Sequence, residues 1–252
     1  MKKAFAEWAF DRQSFAYVLR RDHVVCLGDS HMWRLRGIHV PGVRFRVRAV
    51  GGATASGIQN RQSKTHALTE FNARLGRARR WQQILLHLGE VDCGFVIWYR
   101  AEHHGLSVDE QLTRTLDSYT TFIARVASMG FRRVMVLSVP LPTIGDLPSE
   151  RMGEVANLRK EVTATKAERT ELTLRFNSEL RERCDALGVT FVDATTGQLD
   201  PRTGLIHPRF VRKTHLDHHL ERVPYIELVS SELGRLWSNR RSKTNAAGPA
   251  AQ

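Results

Sequence analysis

The sequence is poor in cysteine, in long apolar runs and in acidic charge. Its three cysteines, Cys26, Cys93 and Cys184, are odd in number and far apart. They exclude a disulfide framework and a zinc-type Cys-x-x-Cys pair, and fit reduced thiols. No stretch approaches the roughly 18 apolar residues that a membrane span needs. The opening MKKAFAEWAFDRQSF is broken by Glu7 and Asp11, so it makes a poor secretion signal and a cytoplasmic location is expected. RNA-recognition, zinc-finger and helix-turn-helix signatures are all missing.

Acidic residues number 26 against 38 basic ones, a formal charge of +12. Such an excess attracts anions, but here it is spread out. Its densest run, VRFRVRAV, alternates Arg44, Arg46 and Arg48 with Val43, Phe45 and Val47, as a strand with one wet face does. A solvated basic surface is expected, and nucleic acid is not an expected partner. A second basic cluster, from Arg235 to Lys243, leads into TNAAGPAAQ. Residues 239–252 therefore read as a basic, disordered tail.

What remains is ordinary globular material, 42% hydrophobic in 252 residues. An amphipathic helix over residues 4–20 forms an N-terminal extension, 1–22. The main domain, 23–238, opens with a strand at His23–Leu27 and a second at Val43–Val50 ending in Gly51-Gly52. A helix centred on Ala67–Leu75 precedes a third strand, Gln83–Leu88. Val108, Leu112, Leu116, Tyr119, Ile123 and Val126 recur at helical spacing between Ser107 and Met129. A fourth strand, Arg133–Val139, is followed by a long charged helix over Glu150–Leu187, a fifth strand at Val189–Val192, and a last helix at Val223–Trp237. Strands alternating with helices predict an α/β fold: a flavodoxin-like, doubly wound sheet of about five parallel strands with helices on both faces. In such sheets ligands sit beyond the carboxyl ends of the strands, so functional residues should follow strands directly.

Four segments meet or approach that condition. Gly28-Asp29-Ser30-His31 follows strand one; Ser30 is either a nucleophile or, with Asp29, a helix cap. It is not the G-x-S-x-G elbow, because Gly28 is the only glycine there. Gly51-Gly52 follows strand two, and Gly89-Glu90-Val91-Asp92 follows strand three. His215-Leu216-Asp217-His218-His219-Leu220 precedes the last helix and offers a general base with an aspartate beside it.

Taken together, these blocks resemble the SGNH (GDSL-type) esterases and acyl hydrolases over about residues 23–236, and the GDSH and GEVDC segments look most like a bacterial subgroup of them. The resemblance implies that Ser30 is the nucleophile, His219 the base and Asp217 the third triad member, with His215 and His218 as alternative bases. It assigns the oxyanion hole to the amides of Ser30 and of Gly51 or Gly52, and makes Gly89 and Asp92 the supporting third block. It implies no cofactor and no metal, and a small-molecule or glycan ester as substrate. The alternatives are a degenerate binding module on the same fold and an O-acyltransferase using the same serine.

Two positions depart from the family pattern. Val91 stands where the family has its oxyanion asparagine, and Asp217 precedes His219 by two residues instead of three. Glu90 cannot replace the asparagine when ionised, since a carboxylate only accepts hydrogen bonds; pairing with an arginine suits it better, or it is a neutral acid of raised pKa. A metallic reading also exists. His215-Leu216-Asp217-His218 resembles half of the HxHxDH motif of metallo-β-lactamase-like hydrolases, although Lys213 replaces its first histidine. His103, His104, Trp98 and Tyr99 are candidates for a cleft wall or for an ordinary loop.

Overall fold

The computed structural model describes residues 22–146, 162–213 and 217–246, with the backbone alone over 239–246. Expectations for the N-terminal helix, for His215 and for the first part of the 150–187 helix fall outside these residues. Five strands form one parallel sheet: β1 (Asp22–Gly28), β2 (Val43–Ala49), β3 (Gln83–His87), β4 (Arg133–Leu137) and β5 (Thr190–Val192), in the order β2-β1-β3-β4-β5. The helices are α1 (Ser30–Arg34), α2 (Ala67–Arg77), α3 (Ile97–His104), α4 (Val108–Ser128), α5 (Lys166–Ala186) and α6 (Arg222–Ala246). The expected doubly wound α/β architecture is the one observed.

Alternation along the strands sends side chains to two cores. Val25 and Leu27 of β1, with Ile84 and Leu86 of β3, pack under α2, α4 and α5 through Phe71, Leu116, Phe122 and Phe176. Val24, Cys26 and Leu85 face the other way, against Met32 of α1 and Tyr225, Val229 and Leu233 of α6. Because β1 and β3 are buried on both faces, they read as continuous apolar runs. β2 is an edge strand in the described sheet; its arginines are exposed while Val43, Phe45 and Val47 pack against the second core.

Two helix boundaries differ from the sequence reading. The long charged helix does not run unbroken through residues 162–165: α5 starts at Lys166, where Thr165 has extended backbone and forms a reciprocal capping box with Glu168. The charged stretch concealed this start because the capping residues look like any polar pair on a solvated face. The last helix continues to Ala246, past Trp237 and into the segment read as a tail. SNRRSKTNA contains no glycine or proline, so nothing in it interrupts helical hydrogen bonding before Gly248-Pro249.

The chain leaves β1 toward β2 on one side and later returns to form β3 on the other. The carboxyl ends of β1 and β3 therefore flank the point where strand order reverses, the usual crevice of such sheets. Gly28 ends β1 there because a Cβ at this position would lie 2.3 Å from the His87 carbonyl oxygen.

Candidate active site

The residues that leave β1 are fixed first. Asp29 caps α1: its carboxylate accepts the backbone N–H of His31 at 2.8 Å, and its own N–H donates to His87 O at 3.2 Å. The capping role considered for Ser30 thus belongs to Asp29. Ser30 becomes the first residue of α1, with only 8% of its surface exposed. His31 follows it and is fully buried.

The second and third segments are tied together. The Gly51-Gly52 turn lies exposed after β2 beside Trp33 of α1, and Gly52 has a φ of +71° that glycine adopts without strain. Asp92, buried after β3, accepts the backbone N–H groups of Ala55 at 2.6 Å and Ser56 at 3.0 Å. Burial pushes its carboxyl above the ordinary value, against the pull of these donors. Gly89 turns at φ +127° against Val139 and Phe176, where a Cβ would come within 2.7 Å of Val139 Cγ2. Gly89 and Asp92 are therefore scaffold for the neighbouring segments.

The histidine segment arrives from the far end of the chain. An antiparallel bridge between Val211 and Leu220 closes its base, and Thr143 Oγ1 donates to His218 O at 2.8 Å. Arg34 Nε donates to Leu220 O at 3.1 Å, which fastens the segment to α1. Asp217 bonds through one oxygen to His219 Nδ1, accepts the His219 backbone N–H at 2.9 Å, and pairs through the other oxygen with Arg212. The two-residue separation is thus no obstacle. The aspartate turns back on the backbone two residues ahead, a common local turn, and meets the ring of the same residue.

These pieces converge on an imidazole cluster. The His31 ring centroid lies 4.8 Å from that of His219 and 5.6 Å from that of His218, and His218 and His219 are 4.0 Å apart. Glu90 Oε2 sits 3.6 Å from His31 Nδ1 and 4.0 Å from His218 Nε2, so two imidazoles stand beside the carboxylate for which an arginine was expected. Among the described residues no hydrogen bond joins the Ser30 hydroxyl to an imidazole; the ring next in sequence to Ser30 is the one packed on His219. Sequence reasoning gave His31 no role. The signal available was the histidine directly following the serine, but nothing local says which ring it will meet.

Titration follows from these surroundings. Burial pulls His219 below the ordinary histidine value, the neighbouring His31 adds to this, and Asp217 opposes it. Burial alone would raise Asp217, but the backbone and ring of His219, with Arg212, outweigh it and hold the carboxyl at about 2. These shifts favour a neutral imidazole whose Nδ1 faces an ionised carboxylate. Cys93 lies nearby but is buried with its thiol pushed up, which makes it inert. Trp98 donates to Cys93 O at 2.9 Å, while His103 and His104 are exposed on α3, with His103 stacked on Tyr99. They are surface and helix-packing residues.

No described helix is long and apolar enough to cross a membrane. No protein-family model matches the chain, and no curated protein sequence matches it. Solved structures do. A GDSL-like lipase from Bacteroides thetaiotaomicron aligns over 92% of this chain and 98% of its own, at 14% identity and a TM-score of 0.57. An acetylxylan esterase from Geobacillus stearothermophilus aligns over 85% of this chain and 93% of its own, at 9% identity and a TM-score of 0.52. The chain has the fold of GDSL-like lipases and esterases.

Proposed function

We propose that the protein is an ester hydrolase of the SGNH type, in a GDSH/GEVDC-bearing subgroup, that works through an acyl-serine intermediate. The observation that carries this reading is the Asp217–His219 pair, brought from the end of the chain to the segment that holds Ser30. The esterase fold of its structural neighbours supports it. In this reading the Ser30 oxygen attacks an ester carbonyl while His219 Nε2 takes its proton. Asp217 stabilises the resulting imidazolium, and the amides of Ser30 and of Gly51 or Gly52 receive the negative oxygen. His219 then returns the proton to the departing alcohol, and water releases the acyl group by the same route. Catalytic hydrogen bonds to a serine often tighten only when substrate is bound, so the lack of a Ser30–imidazole bond among the described residues is compatible with this role. One of the proposed substrates is an O-acylated carbohydrate, the class that the acetylxylan esterase's name describes. A sugar hydroxyl replacing water would make the same serine a transferase.

Val91 in place of a side-chain donor weakens the oxyanion hole. Loss of one such donor costs about two to three orders of magnitude in rate. A slow esterase is therefore expected. The test is turnover of p-nitrophenyl acetate, together with labelling by a fluorophosphonate probe, for the wild-type chain and Ser30→Ala. Wild-type turnover and labelling, both lost in the variant, are the expected results. Equal rates and equal labelling in the two proteins would remove Ser30 as nucleophile.

A further inference from the structure

His31, His218 and His219 each present one ring nitrogen such that the three atoms lie within 4.8 Å of one another. They come from two distant parts of the chain, α1 and the segment before α6, and meet only through the fold. The triad reading uses His219 alone. It leaves unexplained why two further imidazoles crowd the same point, one of them fully buried.

The surroundings suit a cation. Glu90 lies behind His31 and His218, at 3.6 Å and 4.0 Å. Asp29 Oδ1 is 3.7 Å from His31 Nδ1, and its second oxygen is buried without a hydrogen-bond partner among the described residues. Asp217 holds His219 Nδ1. Three carboxylates thus border three imidazoles, and Arg212, bonded to Asp217, is a cation set among them. Metal-binding histidines commonly present one nitrogen to the ion and give the other to a carboxylate, which fixes the tautomer and strengthens the ligand. Asp217 and His219 already have that arrangement, with Nε2 left for the ion.

We propose that His31, His218 and His219 bind one divalent transition-metal ion of the zinc class, with Asp217 and Glu90 as outer carboxylates and a fourth position open to water. The ligand set differs from the metallic motif seen in the sequence, which would use Asp217 as a direct ligand and His215. Three neutral nitrogen ligands with one open position suit zinc, whose bonds to imidazole are about 2.0–2.1 Å. Tetrahedral geometry at that bond length asks for nitrogens about 3.3 Å apart. Binding therefore draws the three rings together.

The site rests in one respect on the proposed esterase reading. Bound metal uses the Nε2 lone pair of His219 that would otherwise accept the Ser30 proton. Metal and proton transfer are then mutually exclusive, and zinc acts as a reversible inhibitor. This consequence needs His219 to be the base. The binding itself does not.

Isothermal titration of the chelator-dialysed full chain with zinc sulfate, repeated with cobalt(II) followed by visible absorption, tests it. The expected result is one equivalent bound and a tetrahedral cobalt spectrum. His218→Gln and His31→Gln should each weaken zinc binding by about a hundredfold or more, and Asp217→Asn by about 10–100-fold. His31 is buried, so His218→Gln, at a half-buried position, decides the matter if the His31 variant does not fold. A chain that takes up no stoichiometric zinc overturns the proposal. So does His218→Gln binding as tightly as wild type, which would place the metal elsewhere, for instance on the exposed His103 and His104. Ser30→Ala should bind zinc unchanged. If the metal-free enzyme turns over esters, zinc should abolish the activity and chelator restore it. An active enzyme that binds zinc and keeps its rate overturns the inhibitory role. An inactive enzyme that binds zinc overturns the esterase reading and leaves the metal site standing.

Discussion

The carboxylate of Asp92, just after β3, accepts the backbone N–H of Ala55 at 2.6 Å. Its other oxygen takes the N–H of Ser56 at 3.0 Å, so one buried side chain fixes the loop that follows the Gly51-Gly52 turn. Asp92→Ala leaves both donors unsatisfied. A cost of about 1–3 kcal/mol for such a group is expected in urea unfolding. Asp92→Asn keeps one acceptor and should lose less. Identical unfolding midpoints for wild type and Asp92→Ala would show that the link contributes nothing.

The strand exit imposes a second constraint. Gly28→Ala would bring a Cβ to 2.3 Å from His87 O, a backbone atom that cannot rotate away. The strain should lower stability by about 1–3 kcal/mol or prevent folding. Thermal unfolding of the variant checks it, and an unchanged melting temperature would contradict the close packing of β1 against β3.

Proton acceptance by His219 should shape the pH profile. Burial and His31 lower its pKa, so the rising limb of kcat/KM should lie below the ordinary histidine value of about 6.5. Asp217 acts in the opposite sense. Asp217→Asn should therefore move the limb further toward acid while lowering kcat by about two to four orders of magnitude. A rising limb above the ordinary histidine value would disagree with the geometry.

Acid should destabilise the fold through two histidines. His87, buried between Leu137 O at 3.4 Å and the Tyr225 hydroxyl at 3.1 Å, has its pKa lowered chiefly by burial, and His219 is also lowered. A depressed histidine favours the neutral form in the folded state. Its contribution is present above the unfolded pKa of about 6.5 and is lost as pH falls from there toward the folded value. Urea unfolding at about pH 7.5 and about pH 5.5 should show the loss, and His87→Gln should reduce it. A stability that is flat across this window in wild type would rule out the linkage.

Position 91 offers a gain-of-function experiment. Val91→Asn supplies the amide that the resemblance expects in the oxyanion hole. The p-nitrophenyl acetate rate should rise by up to about two to three orders of magnitude. No rise in a folded variant would show that the oxyanion is held by backbone amides alone.

The elements were largely written in local pattern. Apolar runs bounded by glycine marked β1 and β3, and three-and-four spacing marked α4 almost to the residue, because burial on both sheet faces or on one helix stripe leaves a direct trace. Where the determinant was a local side-chain hydrogen bond to the backbone, the pattern was silent. The Thr165–Glu168 capping box set the start of α5 inside a charged stretch that looked uniform. Asp29 rather than Ser30 became the cap because of the backbone angle at which the chain leaves β1.

By itself, the order of residues determined a parallel doubly wound sheet and put Ser30, Gly51, Gly89 and the histidine segment at strand ends or before the last helix. Only the tertiary structure decided which of them meet. His31 and His219 are separated by most of the chain, and their rings pack together because α1 and the segment before α6 are fastened by Arg34 and Leu220. Glu90 faces imidazoles for the same reason. Hydrophobic periodicity is a local property that each element carries alone, whereas contacts between distant polar side chains depend on how the buried faces dock, and no short stretch of sequence contains that.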